Sequence, residues 1–376
     1  MNIYIGENIK RLRRERGITQ EELAERMNIS APAVSKWERG ETLPDITMVL
    51  PLASYFGVTT DELLGFDETK NEERIQWYID EGHRLSAIGK LKEAFGVICQ
   101  AYSEFPNDFR IIEEYMWKLN YDPNCKEPYG NEVHKDELYR LCNRVLDECT
   151  LDSPRYSALS ILSGLYVLDG QMEKAVEVCK RFPDHWSAQG QQLEYLYKRG
   201  SEEWWKQFRK NIAELTQIFH IKLSNAAFYS KEGSIEDARE KIRLYEKAEA
   251  IIKLIYDDGD YGFCHYNLAD LYFWLAGCYA VMGDYDKVLE YFEKTLYHSK
   301  QFDELPKITY HTSYLVKGNE RDMSKISAGS EENCVWHNLH FIRESGVYPK
   351  LKDLPQMQEI IAKYEPFAGK RKDYSK

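Results

Sequence analysis

Apolar residues in the first 66 positions recur at the spacing of short helices. Ile5, Ile9 and Leu12 lie on one face of a predicted first helix. Thr19 and Glu22 have the spacing of a capping box, in which each side chain accepts a hydrogen bond from the other residue's backbone N–H. This pattern predicts the start of a second helix. The segment therefore begins as two short helices joined by a turn.

A third helix is predicted after another short turn. Ser30 is a suitable N-cap, and Pro32 is tolerated in the first turn, where an N–H has no partner inside the helix. Val34 and Trp37 are the apolar positions of this helix, and Gly40 ends it. The second and third helices are thus separated by only a few residues.

Two more helices complete the segment. A fourth is predicted over residues 45–56, and Pro51 inside it is expected to kink it because a backbone hydrogen bond is lost. Thr59 and Glu62 repeat the capping-box spacing ahead of a short helix that ends at Gly65. The first 66 residues are therefore predicted to form a five-helix domain.

The second and third helices have the arrangement of a helix-turn-helix, whose second helix enters the DNA major groove. Several blocks at fixed spacing resemble the Cro/lambda-repressor (xenobiotic-response-element) type of bacterial DNA-binding domain. These blocks are Ile9–Arg13, Gly17–Ala24, Val34–Gly40, Phe56–Val58 and Asp61–Leu64. The resemblance covers nearly all of residues 1–66 and implies a transcriptional regulator that binds double-stranded DNA at operator half-sites.

The resemblance also implies which residues meet the DNA. They are Gln20, Ser30, Ala31, Pro32, Ser35, Lys36 and Arg39. Gln20 is expected to reach a phosphate from a helix N-terminus, and Arg39 to approach the DNA backbone. Because Ala31, Pro32 and Ala33 offer no side-chain hydrogen bonds, base reading depends on Lys36, Ser35 and methyl contacts. Such weak reading favours a homodimer that binds two half-sites.

Two further residues of this domain are expected to be structural. The resemblance pairs Arg13 with Glu38 as a partly buried ion pair that joins the first and third helices. A buried charge is tolerated only when it is paired and hydrogen-bonded. We therefore expect Arg13 to stabilise the domain although it lies in a run of basic residues.

Charge changes this picture only locally. The whole chain has 50 basic and 62 acidic residues and a net charge of -12, which excludes a uniformly basic nucleic-acid binder. Residues 1–66 hold eight basic and ten acidic residues, but five of the basic ones lie between Lys10 and Arg16. This run is either a phosphate-contacting surface or an ordinary solvated helix face.

After a charged linker at residues 67–73, no segment alternates convincingly with the period of a strand. Four turns instead carry a glycine followed five positions later by a small residue. The glycines are Gly89, Gly170, Gly233 and Gly283, and they lie 81, 63 and 50 residues apart. These distances are not multiples of about 34, the period of tetratricopeptide repeats. Less regular helix pairs are predicted to fill the gaps, at 109–119 with 132–149 and at 189–198 with 202–223.

The turns resemble tetratricopeptide-like repeats. The resemblance implies an all-α chain in which residues 74–300 stack as helical hairpins into a right-handed solenoid with a concave surface. Residues 301–330 are predicted to be an irregular loop. Residues 331–376 are predicted to form capping helices, at about 332–345 and 355–366, and a frayed basic tail.

The concave surface is the expected place for a partner. Regulators that join this helix-turn-helix to such repeats bind a peptide effector in some relatives, and side-chain amides can hydrogen-bond a peptide backbone. Asn225 and Asn267 are the candidate groove residues. Most of the 27 tyrosines and 8 tryptophans are expected to be core residues of the repeats.

Enzymatic and metal chemistry finds little support. No phosphate-binding, dinucleotide-binding, zinc-protease or serine-hydrolase motif is present. Cys334, His337 and His340 are spread too widely around a helix for one clean site, so ordinary packing is favoured. We expect no cofactor, no metal and no enzymatic activity.

The same sequence predicts a cytoplasmic protein that does not enter membranes. Its first residues lack the apolar stretch of a secretory signal, and its eight cysteines show no CxxC pair or disulfide-framework spacing.

The sequence is therefore consistent with three functions from different classes. The first is a dimeric, sequence-specific DNA-binding regulator whose repeats sense a peptide or protein. The second is an interaction scaffold with a vestigial helix-turn-helix. The third is an enzyme acting at the Cys334 cluster or in an acidic cleft.

Overall fold

The computed structural model describes residues 5–65, 68–126, 128–228 and 233–374. These residues form twenty α-helices and one two-stranded antiparallel sheet. The all-α class predicted from the sequence is confirmed, apart from that small sheet. No helix in the described ranges has the length and apolar character required to cross a membrane.

The chain divides into two compact units. One contains the described residues up to Ile79 together with Gln100–Asn107, and the other contains Asp80–Cys99 together with the described residues from Asp108 onward. Each has its own hydrophobic core.

Five short helices form the N-terminal domain. They are α1 (Ile5–Glu15), α2 (Gln20–Met27), α3 (Ala31–Glu38), α4 (Ile46–Phe56) and α5 (Thr60–Leu64). Each contributes a side chain with no solvent-exposed surface to one core: Ile9, Leu23, Val34, Leu52 and Leu63. These are the apolar positions that the helical periodicity selects, so burial of one face holds the five helices together.

The predicted helix starts are present in most cases. Thr19 and Glu22 form a complete capping box at α2, and the Asp45 side chain accepts a hydrogen bond from the backbone N–H of Thr47 at the start of α4. Ser30 occupies the N-cap of α3, but its side chain makes no capping hydrogen bond. Helix α4 runs through Pro51 as a single helix.

The predicted linker is mostly helical. Helix α6 (Glu68–Ala87) begins within it, and α7 (Leu91–Glu104) follows. Residue 67 lies outside the described ranges. Residues 68–73 are therefore part of a helix and not an extended connection.

Helical hairpins continue from residue 109. The helices are α8 (Phe109–Asn120), α9 (Gly130–Val133), α10 (Lys135–Glu148), α11 (Asp152–Leu168), α12 (Met172–Cys179), α13 (Gln189–Leu196), α14 (Glu202–Phe228), α15 (Ile235–Ile255), α16 (Cys264–Met282) and α17 (Tyr285–Glu304). From α10 to α12 and from α13 to α17, each helix packs on the next one along the chain. Right-handed stacking into a solenoid stays a prediction.

Glycine ends three of the long helices in the predicted way. Gly89, Gly170 and Gly283 follow α6, α11 and α16 with φ of 77°, 69° and 77°. Only glycine adopts this left-handed conformation without a steric penalty. The small residues five positions later are all buried: Ala94, Ala175, Ala238 and Val288.

The predicted loop at residues 301–330 requires a correction. Helix α17 extends to Glu304, and β1 (Ile308–Tyr310) pairs antiparallel with β2 (Glu320–Asp322), with Thr309 opposite Arg321. Strands of three residues are too short to produce a detectable alternation, so the sequence pattern missed them.

The C-terminal segment contains the two predicted helices and a third, shorter one. These are α18 (Cys334–Glu344), α19 (Tyr348–Leu351) and α20 (Pro355–Tyr364). The prediction of a frayed tail is wrong for the described residues up to 374. The Arg371 backbone N–H donates to the Glu331 carbonyl at 2.9 Å, and the Tyr374 hydroxyl donates to the Leu305 carbonyl at 3.0 Å.

Candidate nucleic-acid interface

Helix α3 has one buried face and one outward face. Val34 and Trp37 are buried in the domain core, while Pro32 and Lys36 are exposed. A separation of four residues places Pro32 and Lys36 on the same side of the helix. Among the remaining predicted contact residues, Ser30 and Arg39 are exposed, and Gln20, Ala31 and Ser35 are half-buried. The outward face is therefore free to meet another molecule.

An ion pair beneath that face connects α1 with α3. Arg13 Nε lies 2.5 Å from Glu38 Oε1, and Arg13 Nη2 lies 2.9 Å from Glu38 Oε2. Arg13 Nη1 also donates to the Ile18 carbonyl at 2.8 Å. Only 2% of the Glu38 side chain is exposed, so this two-point contact compensates a buried carboxylate.

The charge of Glu38 is stabilised from two sides. Burial alone opposes its ionisation, but hydrogen bonds from Arg13 and Gln20 outweigh this effect and hold the pKa of Glu38 below its usual value. The hydrogen bond with Glu38 in turn raises the pKa of Arg13. Both groups are therefore charged at neutral pH.

Gln20 has a contact that the sequence reasoning missed. Its Nε2 donates to Glu38 Oε2 at 2.8 Å, which ties the start of α2 to the end of α3. One amide hydrogen is left by this contact for the predicted phosphate. No local spacing signals the pairing, because Gln20 and Glu38 are 18 residues apart in the sequence.

A small residue lets α1 approach the end of α3 closely. A Cβ atom on Gly6 would overlap the backbone carbonyl of Trp37. Glycine is therefore required at this crossing, and together with the ion pair of Arg13 and Glu38 it sets the position of α3 in the domain.

The two cations at the end of α3 differ in their surroundings. The Lys36 side chain makes no hydrogen bond or ion pair with any residue that the structure describes, although its charge helps to lower the pKa of Glu41. Arg39 Nε donates to Glu41 Oε1 at 2.6 Å, and Arg39 Nη1 also contacts the Ser35 hydroxyl. Arg39 therefore gives up its hydrogen bonds to Glu41 or Ser35 when its guanidinium turns to a DNA phosphate.

The basic residues between Lys10 and Arg16 on α1 and just after it have different surroundings. Arg11 lies 3.1 Å from Glu15, and the Arg16 guanidinium stacks over the Tyr55 ring at 5.0 Å from its centroid. The side chains of Lys10 and Arg14 make no hydrogen bond or ion pair with described residues, although the charge of Lys10 helps to lower the pKa of Glu38. Most of the run therefore has partners within the domain, and the cations without such a partner are few.

The candidate metal cluster near the C-terminus does not converge. Asn338 donates toward Cys334 Sγ at 3.4 Å, whereas His337 Nε2 is hydrogen-bonded to the Ser330 hydroxyl at 2.6 Å. His340 stacks on Trp336. Each of the three side chains thus has a partner of its own.

The two candidate groove residues, Asn225 and Asn267, lie on different helices. Asn225 is exposed on α14, Asn267 is half-buried on α16, and both helices pack against α15. On α14, the buried atoms His220 Nδ1 and Ser224 Oγ have no hydrogen-bond partner among the described residues. Sequence reasoning did not select these two residues, since only their burial makes them unusual.

Comparisons with known proteins agree with this geometry. Residues 9–63 match a family model described as Helix-turn-helix. The chain is 40% identical over 62 residues to the HTH-type transcriptional activator BcrR of Enterococcus faecalis, which is 16% of this chain and 30% of BcrR. It is 41% identical over 64 residues to the uncharacterized HTH-type transcriptional regulator y4dJ of Sinorhizobium fredii, which is 17% of this chain and 83% of that protein.

The five-helix domain with its outward α3 face thus defines a helix-turn-helix protein. The chain belongs to the family of HTH-type transcriptional regulators. It spans less than a third of the length of BcrR. Among solved structures, it is similar to Bacillus thuringiensis PlcR in complex with the peptide PapR7 and DNA, with 15% identity over 80% of this chain and 96% of PlcR and a TM-score of 0.34.

Proposed function

We propose that this protein is a dimeric, sequence-specific DNA-binding transcriptional regulator whose helical repeats receive a peptide or protein signal. The observation that carries the proposal is the outward face of α3. The Lys36 side chain is exposed on this face and makes no hydrogen bond or ion pair with a described residue, while the bidentate pair of Arg13 and Glu38 holds the helix from below. A helix that is held in place on its inner side and exposes the Lys36 ammonium on its outer side is suited to enter the major groove.

The chemistry of this face suggests how DNA is read. The Lys36 ammonium is a donor for guanine O6 and N7, and the adjacent methyl and methylene groups suit thymine methyls. Arg39 and Gln20 are assigned to phosphates, which fix the register of the helix without reading sequence. Since one half-site offers few base contacts, two domains in a homodimer supply the specificity.

Binding titrations with the full chain test this assignment. Lys36→Ala is expected to weaken binding to the selected operator by roughly 1–3 kcal/mol and to relax preference at one base pair. Lys352→Ala removes the same charge from an exposed position in the other unit and serves as the control. Equal losses on operator and random DNA for Lys36→Ala would reduce its role to phosphate contact.

The repeat unit is assigned the sensing role. His220 Nδ1 and Ser224 Oγ, four residues apart on α14, are buried polar atoms without a described partner, and such atoms favour a ligand that supplies one. Asn225 on the same helix and Asn267 on α16 are candidates for the peptide backbone. Thermal-shift screening of short synthetic peptides tests this, and Asn225→Ala and Asn267→Ala are expected to reduce any stabilisation that a peptide produces.

The alternative is a scaffold with a vestigial helix-turn-helix. It predicts no salt-dependent binding to any duplex, whereas phosphate contacts make binding by a regulator fall steeply with salt. We infer a non-enzymatic role, because binding groups alone account for the proposed activity. Since the proposed target is bacterial DNA, we place the protein in the cytoplasm.

A further inference from the structure

The segment between α8 and α10 gathers three side chains that ligate transition metals. Asp122, Cys125 and His134 each offer one ligand atom, and these atoms all lie within 4.8 Å of one another. Asp122 Oδ2 is 2.8 Å from His134 Nε2 and 3.6 Å from Cys125 Sγ. Asp122 is buried and the other two are half-buried, so the cluster is sheltered and still reachable from solvent.

The Asp122 carboxylate is held in one orientation. Its Oδ1 accepts hydrogen bonds from the Asn124 backbone N–H at 2.8 Å and from Asn124 Nδ2 at 2.9 Å. These contacts leave Oδ2 directed at Cys125 and His134. Neighbouring groups that orient a ligand in this way are typical of protein metal sites.

The other two ligands are held by the backbone. The Cys125 N–H donates to the Asp122 carbonyl at 3.1 Å, and the His134 N–H donates to the Gly130 carbonyl at 2.9 Å. Gly130 lies so close to the end of α8 that a Cβ there would overlap the Leu119 carbonyl. Short α9 thereby approaches α8 and brings His134 to Asp122.

We propose that Asp122, Cys125 and His134 bind a zinc ion. Zinc accepts sulfur, nitrogen and oxygen ligands at about 2.0–2.3 Å in a tetrahedron, which corresponds to distances of about 3.2–3.8 Å between ligand atoms. The separation of Asp122 and His134 is shorter than this range, that of Asp122 and Cys125 lies within it, and that of Cys125 and His134 is at most 4.8 Å, so small side-chain rotations suffice. Calcium and magnesium are disfavoured because they require oxygen ligands.

The three ligands leave a fourth tetrahedral position for water. On binding, the Cys125 thiol gives its proton to solvent, and the thiolate bonds the metal without any change in oxidation state. The ion links two parts of the connection between α8 and α10, whose described residues contain the four residues of α9 as their regular structure. A bound ion is therefore expected to stabilise the connection between α8 and α10.

Cobalt titration of the full, reduced chain tests the proposal, because Co²⁺ reports thiolate ligation by a sulfur-to-metal charge-transfer absorption that zinc lacks. After chelator treatment, wild type is expected to bind one equivalent with this absorption and to release it to zinc. Cys125→Ser is expected to lose the absorption and to bind zinc at least about tenfold more weakly. Cys179→Ser changes an exposed thiol elsewhere and is expected to behave as wild type.

Cys125 is half-buried and exchanges sulfur for oxygen in this variant, so the fold is expected to survive, and circular dichroism of the metal-free proteins verifies that. Zinc is expected to raise the melting temperature of wild type and Cys179→Ser more than that of Cys125→Ser. Equal zinc affinities of wild type and Cys125→Ser would overturn the proposal. A folded wild type that binds less than one equivalent would also overturn it and would leave an ordinary Asp122–His134 ion pair.

Discussion

Arg13 and Glu38 join α1 to α3 through two parallel hydrogen bonds, with Arg13 Nε 2.5 Å from Oε1 and Nη2 2.9 Å from Oε2 of Glu38. Gln20 adds a third donor to the same carboxylate from the start of α2. One buried carboxylate therefore connects α1, α2 and α3. A change in this network alters the position of the α3 face as well as the stability of the domain.

Arg13→Ala is predicted to destabilise the N-terminal domain by about 3 kcal/mol, because it leaves Glu38 buried with a charge and without its cation. The neighbouring Arg14→Ala removes an exposed arginine from the same helix and is expected to stay within about 0.5 kcal/mol of wild type. Thermal and urea unfolding of both variants measure the difference. Identical melting temperatures would show that the ion pair contributes nothing.

The same carboxylate predicts a dependence of stability on acid. Because the pKa of Glu38 is lowered in the folded domain, its contribution is fully present above the unfolded pKa of about 4.3 and is lost as the pH falls through the folded value. Glu38→Gln is therefore expected to show a smaller decrease in unfolding free energy between pH 5 and pH 2 than wild type. Parallel curves for the two proteins over this interval would contradict the assignment.

Glu41 is predicted to limit DNA affinity. Its carboxylate pairs with Arg39 at 2.6 Å on the exposed end of α3, where it both occupies the cation and repels phosphates. Glu41→Gln is expected to raise affinity for any duplex by about two- to fivefold at low salt, since exposed pairs are worth little. Glu344→Gln, an equal charge change in the other unit, is the control. Unchanged affinity of Glu41→Gln would indicate that Arg39 does not contact DNA.

Local signals in the sequence were sufficient for much of the fold. The capping box of Thr19 and Glu22 depends on residues three apart, and the turn at Gly283 depends on one φ angle, so both could be predicted. The short pair of β1 and β2 could not, because each strand is only three residues long. Its pairing depends on contacts across the intervening loop.

In the candidate sites, too, local spacing could be predicted from the sequence, whereas contacts between distant residues could not. Lys36 and Pro32 could be placed on one helix face from their spacing alone. The contact from Gln20 to Glu38 and the cluster of Asp122 with His134 could not be predicted, since they join residues 18 and 12 positions apart that only the folding of the chain brings together. No motif with a fixed spacing records either one.

Coupling between the two parts of the chain gives a further prediction. Residues 67–376 alone are expected to form a dimer, and deleting them is expected to reduce operator affinity at least about tenfold, or 1.4 kcal/mol. The physical reason is that a dimer presents two reading helices, and the second binds at high effective concentration. Sedimentation of residues 67–376 and titration of residues 1–66 against the full chain measure both quantities. If residues 67–376 are monomeric and residues 1–66 bind the operator as tightly as the full chain, the repeats make no contribution to DNA binding.

The central claim is that the outward face of α3 reads a specific DNA sequence. The most direct test isolates the genomic fragments that co-purify with the full chain and compares their affinity with that of random duplexes at one fixed salt concentration. Fragments with two related half-sites are expected to be enriched and to bind the full chain at least about 10³-fold more tightly than random DNA. Equal affinity for enriched and random fragments, or no enrichment at all, would contradict it.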